Sequence, residues 1–274
     1  MKKIKIKDFL IGDKNKLTII AGPCVIESFD HALNSAKELN EIFKDFDFNF
    51  VFKSSFDKAN RSSVNSFRGV GLDNGIEVFK KIKQELDLPI TTDIHLPNQV
   101  EKLKDVIDIF QIPAFLCRQT DLLIAAANTK KAVNVKKGQF LAPWDMKNVV
   151  DKILSTGNDN IILTDRGVTF GYNNLVTDIR AIPIMQEFGF PVCFDATHSL
   201  QLPGGLKTHS GGEKKFISPL TKAAVAAGAN AIFIEAHPDP KNAKSDSAIQ
   251  VSFTELRSLL IDIEKIFNAN YQLC

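Results

Sequence analysis

The chain has 274 residues, enough for one sizeable core, and with 44% apolar and 24% charged residues it belongs with globular rather than disordered proteins. Its net charge of +2 gives no electrostatic reason to expect nucleic acid or an anionic membrane surface as a partner. No apolar run is long enough to span a bilayer, Met1–Asp8 lacks the apolar core of a secretion signal, and Cys24, Cys117, Cys193 and Cys274 show no pairing pattern, so a cytoplasmic chain with reduced thiols is expected.

In chain order, the lysine-rich residues 1–16, with Gly12-Asp13 as turn signal, predict a small hairpin. Leu17–Ala21 follows as a short, continuously apolar strand. Ala32, Leu33, Ala36, Leu39, Ile42 and Phe43 then recur at helical spacing. Phe48–Phe52 is the next strand, and Ile76, Phe79, Ile82 and Leu86 mark another helix. Ile90–Thr92 precedes Pro97, which suits the first turn of a helix carrying Val100 and Leu103. Strands Ile107–Ile112, Ala132–Val135 and Ile161–Leu163 come next, with a helical face at Val149, Val150, Ile153 and Leu154 between the last two. Pro191–Phe194, a helix with Ile217, Leu220, Ala224 and Ala227, strand Ala231–Ile234 and a helix through Phe253, Leu256, Leu260, Ile263 and Phe267 complete the chain.

Eight apolar strands alternating with helices, without a linker, predict an α/β fold: a (β/α)8 TIM barrel with a short N-terminal hairpin, one domain over residues 1–274. An open doubly wound sheet is the competing architecture. Polar residues gathered after most of the strands favour the closed barrel, whose chemistry sits at the C-terminal strand ends.

Those ends divide into two groups. Strands 2, 4, 5 and 6 supply Lys53, Lys58, Arg61, Arg118, Lys136 and Arg166. Converging cations repel one another unless anions sit among them, and phosphate or carboxylate matches Arg forks and Lys point charges. Strands 7, 8 and 1, consecutive once a barrel closes, bring Cys24, His198 and Glu235, with Asp246 in the following loop. A thiolate, an imidazole and two carboxylates suit Zn²⁺, Fe²⁺ or Mn²⁺. Pattern alone leaves Cys24 open between a ligand and a small buried hydrophobe, the reading also given to Cys117 and Cys193. His31 and His209 read as surface histidines; His95 and His237, at the rim, either support the site or are simply hydrogen-bonded.

Four segments are more specific. Lys53-Ser-Ser-Phe-Asp-Lys-Ala-Asn-Arg-Ser-Ser63, Gln111-Ile-Pro-Ala-Phe-Leu-Cys-Arg-Gln-Thr120, Val133-Asn-Val-Lys-Lys-Gly-Gln139 and Asp195-Ala-Thr-His-Ser199 closely resemble the 3-deoxy-D-manno-octulosonate 8-phosphate synthases, a likeness running over residues 17–268. The resemblance implies a transferase, generally homotetrameric, that condenses phosphoenolpyruvate with D-arabinose 5-phosphate, releases inorganic phosphate and serves lipopolysaccharide synthesis. It further implies that Lys53, Lys58, Gln111, Lys136 and Arg166 hold phosphoenolpyruvate, that Asn60, Arg61 and Ser62 hold the pentose phosphate, and that Arg118 reaches the sugar phosphate of a neighbouring subunit. Gln201 joins the substrate-binding set, and Lys53, Asp93, His95, Lys136 and His198 the reacting centre.

Within that family, Cys in the Gly22-Pro-Cys24 segment resembles the metal-dependent branch, where the other branch has Asn. Ser245-Asp246-Ser-Ala-Ile-Gln250 fits the same branch, with Ile249 where Thr is expected. The implied ligands are Cys24, His198, Glu235 and Asp246. Two alternatives are a 3-deoxy-heptulosonate 7-phosphate synthase taking erythrose 4-phosphate, against which Ala59-Asn-Arg-Ser-Ser63 argues, and a non-catalytic sugar-phosphate-binding barrel, against which the complete set of charges argues.

Overall fold

The computed structural model describes residues 1–203 and 211–272; His209 and Cys274 lie outside them. Eight parallel strands form the barrel: β1 (Thr18–Gly22), β2 (Asn49–Lys53), β3 (Ile90–Asp93), β4 (Ile109–Ile112), β5 (Ala132–Lys136), β6 (Ile161–Asp165), β7 (Val192–Asp195) and β8 (Ala231–His237). Each pairs with its chain neighbours, and β8 pairs with both β7 and β1, which closes the ring and excludes the open sheet. Helices α1 (Phe29–Phe43), α2 (Leu72–Leu86), α3 (Pro97–Leu103), α4 (Thr120–Asn128), α5 (Met146–Leu154), α6 (Ala181–Gln186), α7 (Ile217–Ala226) and α8 (Phe253–Gln272) surround it. No described helix is long and apolar enough to cross a membrane.

The apolar runs locate every strand but end most of them too early. Pairing continues through charged residues, so Lys53, Asp93, Lys136, Asp165, Asp195 and Glu235 belong to strands rather than to the loops beyond. Two helices carry no clean amphipathic signal: α4 is apolar through Leu122–Ala127, and α6 is short with Pro183 inside it. Pro97 does stand in the first turn of α3.

The hairpin pairs Ile4–Ile6 with Phe9–Ile11, and Ile6 faces Phe9 across Lys7-Asp8. Its turn is therefore Lys7-Asp8, not Gly12-Asp13: Lys7 takes the left-handed backbone (φ 49°), while Gly12 follows the second strand. Buried Ile4, Ile6 and Ile11 pack against Ile20, Val51, Ile109, Ile162, Cys193 and Phe233, so the hairpin stoppers the lower end of the barrel. A separate, larger apolar layer joins the outer strand faces to the helices.

Candidate functional site

The other end opens into a cavity of about 680 Å³. Lys53, Lys58, Asn60, Arg61 and Ser62 line it on the β2 side, with Asp93 and His95 from β3. Lys136, Arg166, His198, Gln201 and Asp246 line the remainder. Gln111, Cys24 and Glu235 are buried outside its lining, and Arg118 is exposed just past the turn of Ala114–Leu116, also outside it. One predicted cation thus stands apart from the cluster.

Close strand approach brings these groups together. A side chain on Gly22 would collide with the Lys53 carbonyl, so glycine lets the ends of β1 and β2 meet. Lys53, 1% exposed, donates to Glu235 Oε1 (3.1 Å) and to the Cys24 carbonyl (3.2 Å), with Asp93 at 3.7 Å. Lys58 lies 3.6 Å from the same Glu235 oxygen. Lys136 donates to Asp195 Oδ2 at 2.6 Å and stands over the Phe233 ring, 3.6 Å from its centroid. Burial pushes the Glu235 and Asp195 carboxyls up, but the positive charge that His198 carries when protonated, together with that of Lys136 beside both and Lys53 and Lys58 beside Glu235, outweighs it and holds both ionised.

A hydrogen-bonded layer spans the barrel interior beneath the cations. Ser55 Oγ and Gln111 Nε2 each donate to Asp93 at 2.6 Å; Asn134 Nδ2 donates to Gln111 Oε1, and Thr164 Oγ1 to Asn134 Oδ1. Every member is buried and partnered, which fixes its orientation. Arg166 Nη2 donates to Gln201 Oε1 (2.6 Å) and the His198 carbonyl (3.2 Å), whereas its buried Nη1 has no partner in the protein. An unsatisfied guanidinium N–H lining a cavity is suited to an anionic oxygen. Burial lowers the pKa of His95, keeping its ring neutral near pH 7.

Beside Lys53 and Lys58, Cys24, Glu235 and Asp246 each offer a ligand atom, all within 4.8 Å of one another. Cys24 Sγ lies 3.0 Å from Asp246 Oδ2 and from Ser245 Oγ. His198 Nδ1 is 2.8 Å from Asp195 Oδ2, which leaves Nε2, 3.5 Å from Glu235 Oε1, free to coordinate. Bond lengths of about 2.0–2.3 Å in a tetrahedral site imply ligand separations near these values. Glu235 Oε2 is buried without a hydrogen-bond partner. Burial drives the Cys24 thiol well above its ordinary pKa and the Asp246 and Glu235 carboxylates add to this, a balance that a bound cation reverses. Donor chemistry, spacing and the orphaned oxygen all fit a divalent metal.

Several contributors were not assigned roles from sequence. Asp195, named only as the first residue of a recognised segment, holds both Lys136 and His198. Gln250 accepts from the Cys24 backbone N–H, and Phe233, an apolar residue by pattern, underlies a cation. Ser55, inside a recognised segment, fixes Asp93. Ile249 is buried and crowds Gly212, where a side chain would strike it. His31 departs from its surface assignment: its ring nitrogens are buried and it packs on His237 at 4.7 Å between centroids. Cys117 and Cys193 are buried and unpaired, as expected.

A closed barrel whose mouth gathers cations beside a buried cysteine–carboxylate cluster defines a phosphate-handling TIM-barrel protein. Residues 1–269 match the model of the DAHP synthetase I family. The chain is 55% identical to the 2-dehydro-3-deoxyphosphooctonate aldolase of Protochlamydia amoebophila over 97% of both chains. It is 53% identical to the protein of that name from Geotalea uraniireducens, over 97% of this chain and 98% of the other. The chain belongs to the DAHP synthetase I family and, within it, to the 2-dehydro-3-deoxyphosphooctonate aldolases.

Proposed function

We propose that this chain, acting as one domain, condenses phosphoenolpyruvate with D-arabinose 5-phosphate to give 3-deoxy-D-manno-octulosonate 8-phosphate and inorganic phosphate, a cytoplasmic step of lipopolysaccharide synthesis. The observation that carries this reading is the convergence of Lys53, Lys58, Lys136 and Arg166 on one cavity whose outer wall is Asn60, Arg61 and Ser62. Two polyanions must be brought together, and preorganised cations offset their repulsion while fixing C3 of the enol beside the aldehyde. Lys136 and Arg166 orient the enol phosphate and carboxylate, and Arg61 and its neighbours take the pentose phosphate. Gln111, expected from the resemblance to touch the enol substrate, lies buried outside the cavity lining and acts instead by holding Asp93. The bond from C3 to the aldehyde carbon forms, water adds at C2, the aldehyde oxygen gains a proton, and the C2–O bond to phosphate breaks. Asp93 and neutral His95 border the reacting atoms, and Lys53 holds the adjacent Glu235 ionised.

Cys24, His198, Glu235 and Asp246 would hold Fe²⁺, Zn²⁺ or Mn²⁺; the thiolate makes Mg²⁺ a poor fit. Such an ion supplies Lewis-acid polarisation and orientation of the aldehyde. In the homotetramer that the resemblance implies, Arg118, exposed and outside this chain's own cavity, would reach a neighbour's pentose phosphate, and Arg118→Ala should raise KM for that substrate more than for phosphoenolpyruvate.

Phosphate release, measured with each aldose phosphate in turn, tests the whole. Turnover with arabinose 5-phosphate is expected; turnover only with erythrose 4-phosphate, or with neither, overturns it. Exhaustive chelation should abolish turnover with the fold intact, and Mn²⁺ or Fe²⁺ should restore it. Full turnover of a verified metal-free chain would remove the metal from the proposal.

A further inference from the structure

Outside the cavity, three residues beyond Cys24, Glu27 makes contacts that none of the roles above uses. Its Oε1 accepts from His237 Nε2 at 3.2 Å and from the Lys244 backbone N–H at 2.8 Å. His237 follows Glu235 by two residues at the end of β8, and Lys244 precedes Asp246 by two. One carboxylate oxygen therefore joins the three segments that carry Cys24, Glu235 and Asp246. Neither Glu27 nor His237 lines the cavity, so neither is placed to touch substrate.

We propose that Glu27 and His237 are positioning residues: a clamp that holds these three segments in register and thereby sets the affinity of the centre for its cation. The inference rests on the metal reading above. It follows from geometry that the segments need such a tie. Asp246 sits at φ 47°, a left-handed conformation that aspartate tolerates but that surrounding contacts must select, and its loop crosses a gap from β8 to Val251–Ser252. That return is itself pinned, because Val251 and Ser252 pair in parallel with Ala236 and His237. The clamp is also shielded: the Glu27 and His237 side chains are 12% and 5% exposed, so the hydrogen bond is little weakened by water.

Glu27, His31 and His237 bring three potential ligand atoms within 4.8 Å of one another, which raises the competing idea of a second cation site. Hydrogen bonding argues against it. His237 Nδ1 accepts the Asp239 backbone N–H at 3.0 Å, which puts the ring proton on Nε2, the atom facing Glu27. Coordination through Nε2 would move that proton to Nδ1 and set two donors against each other.

The test is an anaerobic Co²⁺ titration of the full chain freed of metal, following the thiolate-to-cobalt absorbance band for affinity and stoichiometry, with apo unfolding midpoints alongside. Glu27→Ala should weaken Co²⁺ by about 10–100-fold, as loss of groups supporting a ligand does. Glu27→Gln, which keeps an acceptor oxygen, should restore most of the affinity. A purely structural role would instead lower the apo midpoint and leave affinity unchanged, and that result overturns the clamp. So does equal loss in the Gln and Ala variants, or two ions per chain with one lost on Glu27→Ala. Should Glu27→Ala yield no folded chain, His237→Leu removes the donor but keeps bulk against His31 and should show the same 10–100-fold loss; unaltered affinity there also overturns it. Cys24→Ala, which cannot give a thiolate band and is therefore followed by equilibrium dialysis against Co²⁺ alongside the parent and Glu27→Ala, separates the two readings. If it binds Co²⁺ like the parent, the metal centre fails and the clamp falls with it; if it loses Co²⁺ while Glu27→Ala does not, the clamp alone fails.

Discussion

The lower and upper halves of the barrel are built on the same strands from opposite chemistries. Below, Val51, Ile162 and Phe233 meet the hairpin in a dry apolar cluster. Two residues further along each strand, roughly 6.6 Å, the inward positions are Lys53, Thr164 and Glu235, in the hydrogen-bonded layer or the site. Because side chains alternate across a strand, inward positions come in such pairs, and a step of two exchanges hydrocarbon for charge. Stability and chemistry are therefore adjacent yet separable, with the Phe233 ring at the boundary beneath Lys136.

The sharpest way to break this comparison is at Lys53. Lys53→Met removes the cation shared by Glu235 and Asp93 and should lower turnover by about 10²–10³-fold, the scale for losing one preorganised electrostatic group. Steady-state phosphate release measures it, and a fall below tenfold would place the chemistry elsewhere. Two positions before Thr164 on β6, Ile162→Ala should do the reverse. It leaves a cavity costing about 2–5 kcal/mol, read from urea unfolding, while kcat and KM stay within about twofold.

A smaller effect concerns pH. Burial, reinforced by Asp246 and Glu235, raises the Cys24 pKa, so the thiol is protonated near neutrality and each bound cation must displace that proton. Apparent cation affinity should then rise about tenfold per pH unit as pH rises and fall as pH falls. Competition with a chromophoric chelator across pH measures the slope; a flat profile would exclude Cys24 as a ligand. Smallest of all, the lower-half thiol Cys193, pushed up to about 12 by burial, should resist iodoacetamide in the folded chain and react once unfolded. Mass spectrometry reads both states.

How much of this was legible follows from the physics of each feature. Strand location was written in the apolar runs, because parallel strands buried on both faces have little else to display. Strand ends were not, since Lys53 and Glu235 look like loop residues until the barrel supplies their partners. The hairpin turn was misplaced because Gly12 gives the stronger turn signal, while the pairing of Ile6 with Phe9 selects Lys7-Asp8. At the site, charged residues declared themselves by type. Their orienting partners did not: Asp195 grips Lys136 across 59 residues, Ser55 reaches Asp93 across 38, and Gln250 reaches Cys24 across 226. No local pattern encodes a distance of that kind.

The hairpin stopper also constrains how the protein handles traffic. With Ile4, Ile6 and Ile11 sealing the lower end, the reaction chamber is, among the described residues, a well entered from the upper end. Lys53 and Lys136 lie at its depth, 1% and 6% exposed, while Asn60 and Ser62 stand at the exposed lip. A molecule seated on the deep lysines is covered by whatever occupies the lip. Entry must then form a queue, deep ligand first, and the products must clear the lip before the depth can be refilled. Steady-state patterns should accordingly be those of a sequential, ordered scheme, imposed by three isoleucines on the far side of the molecule.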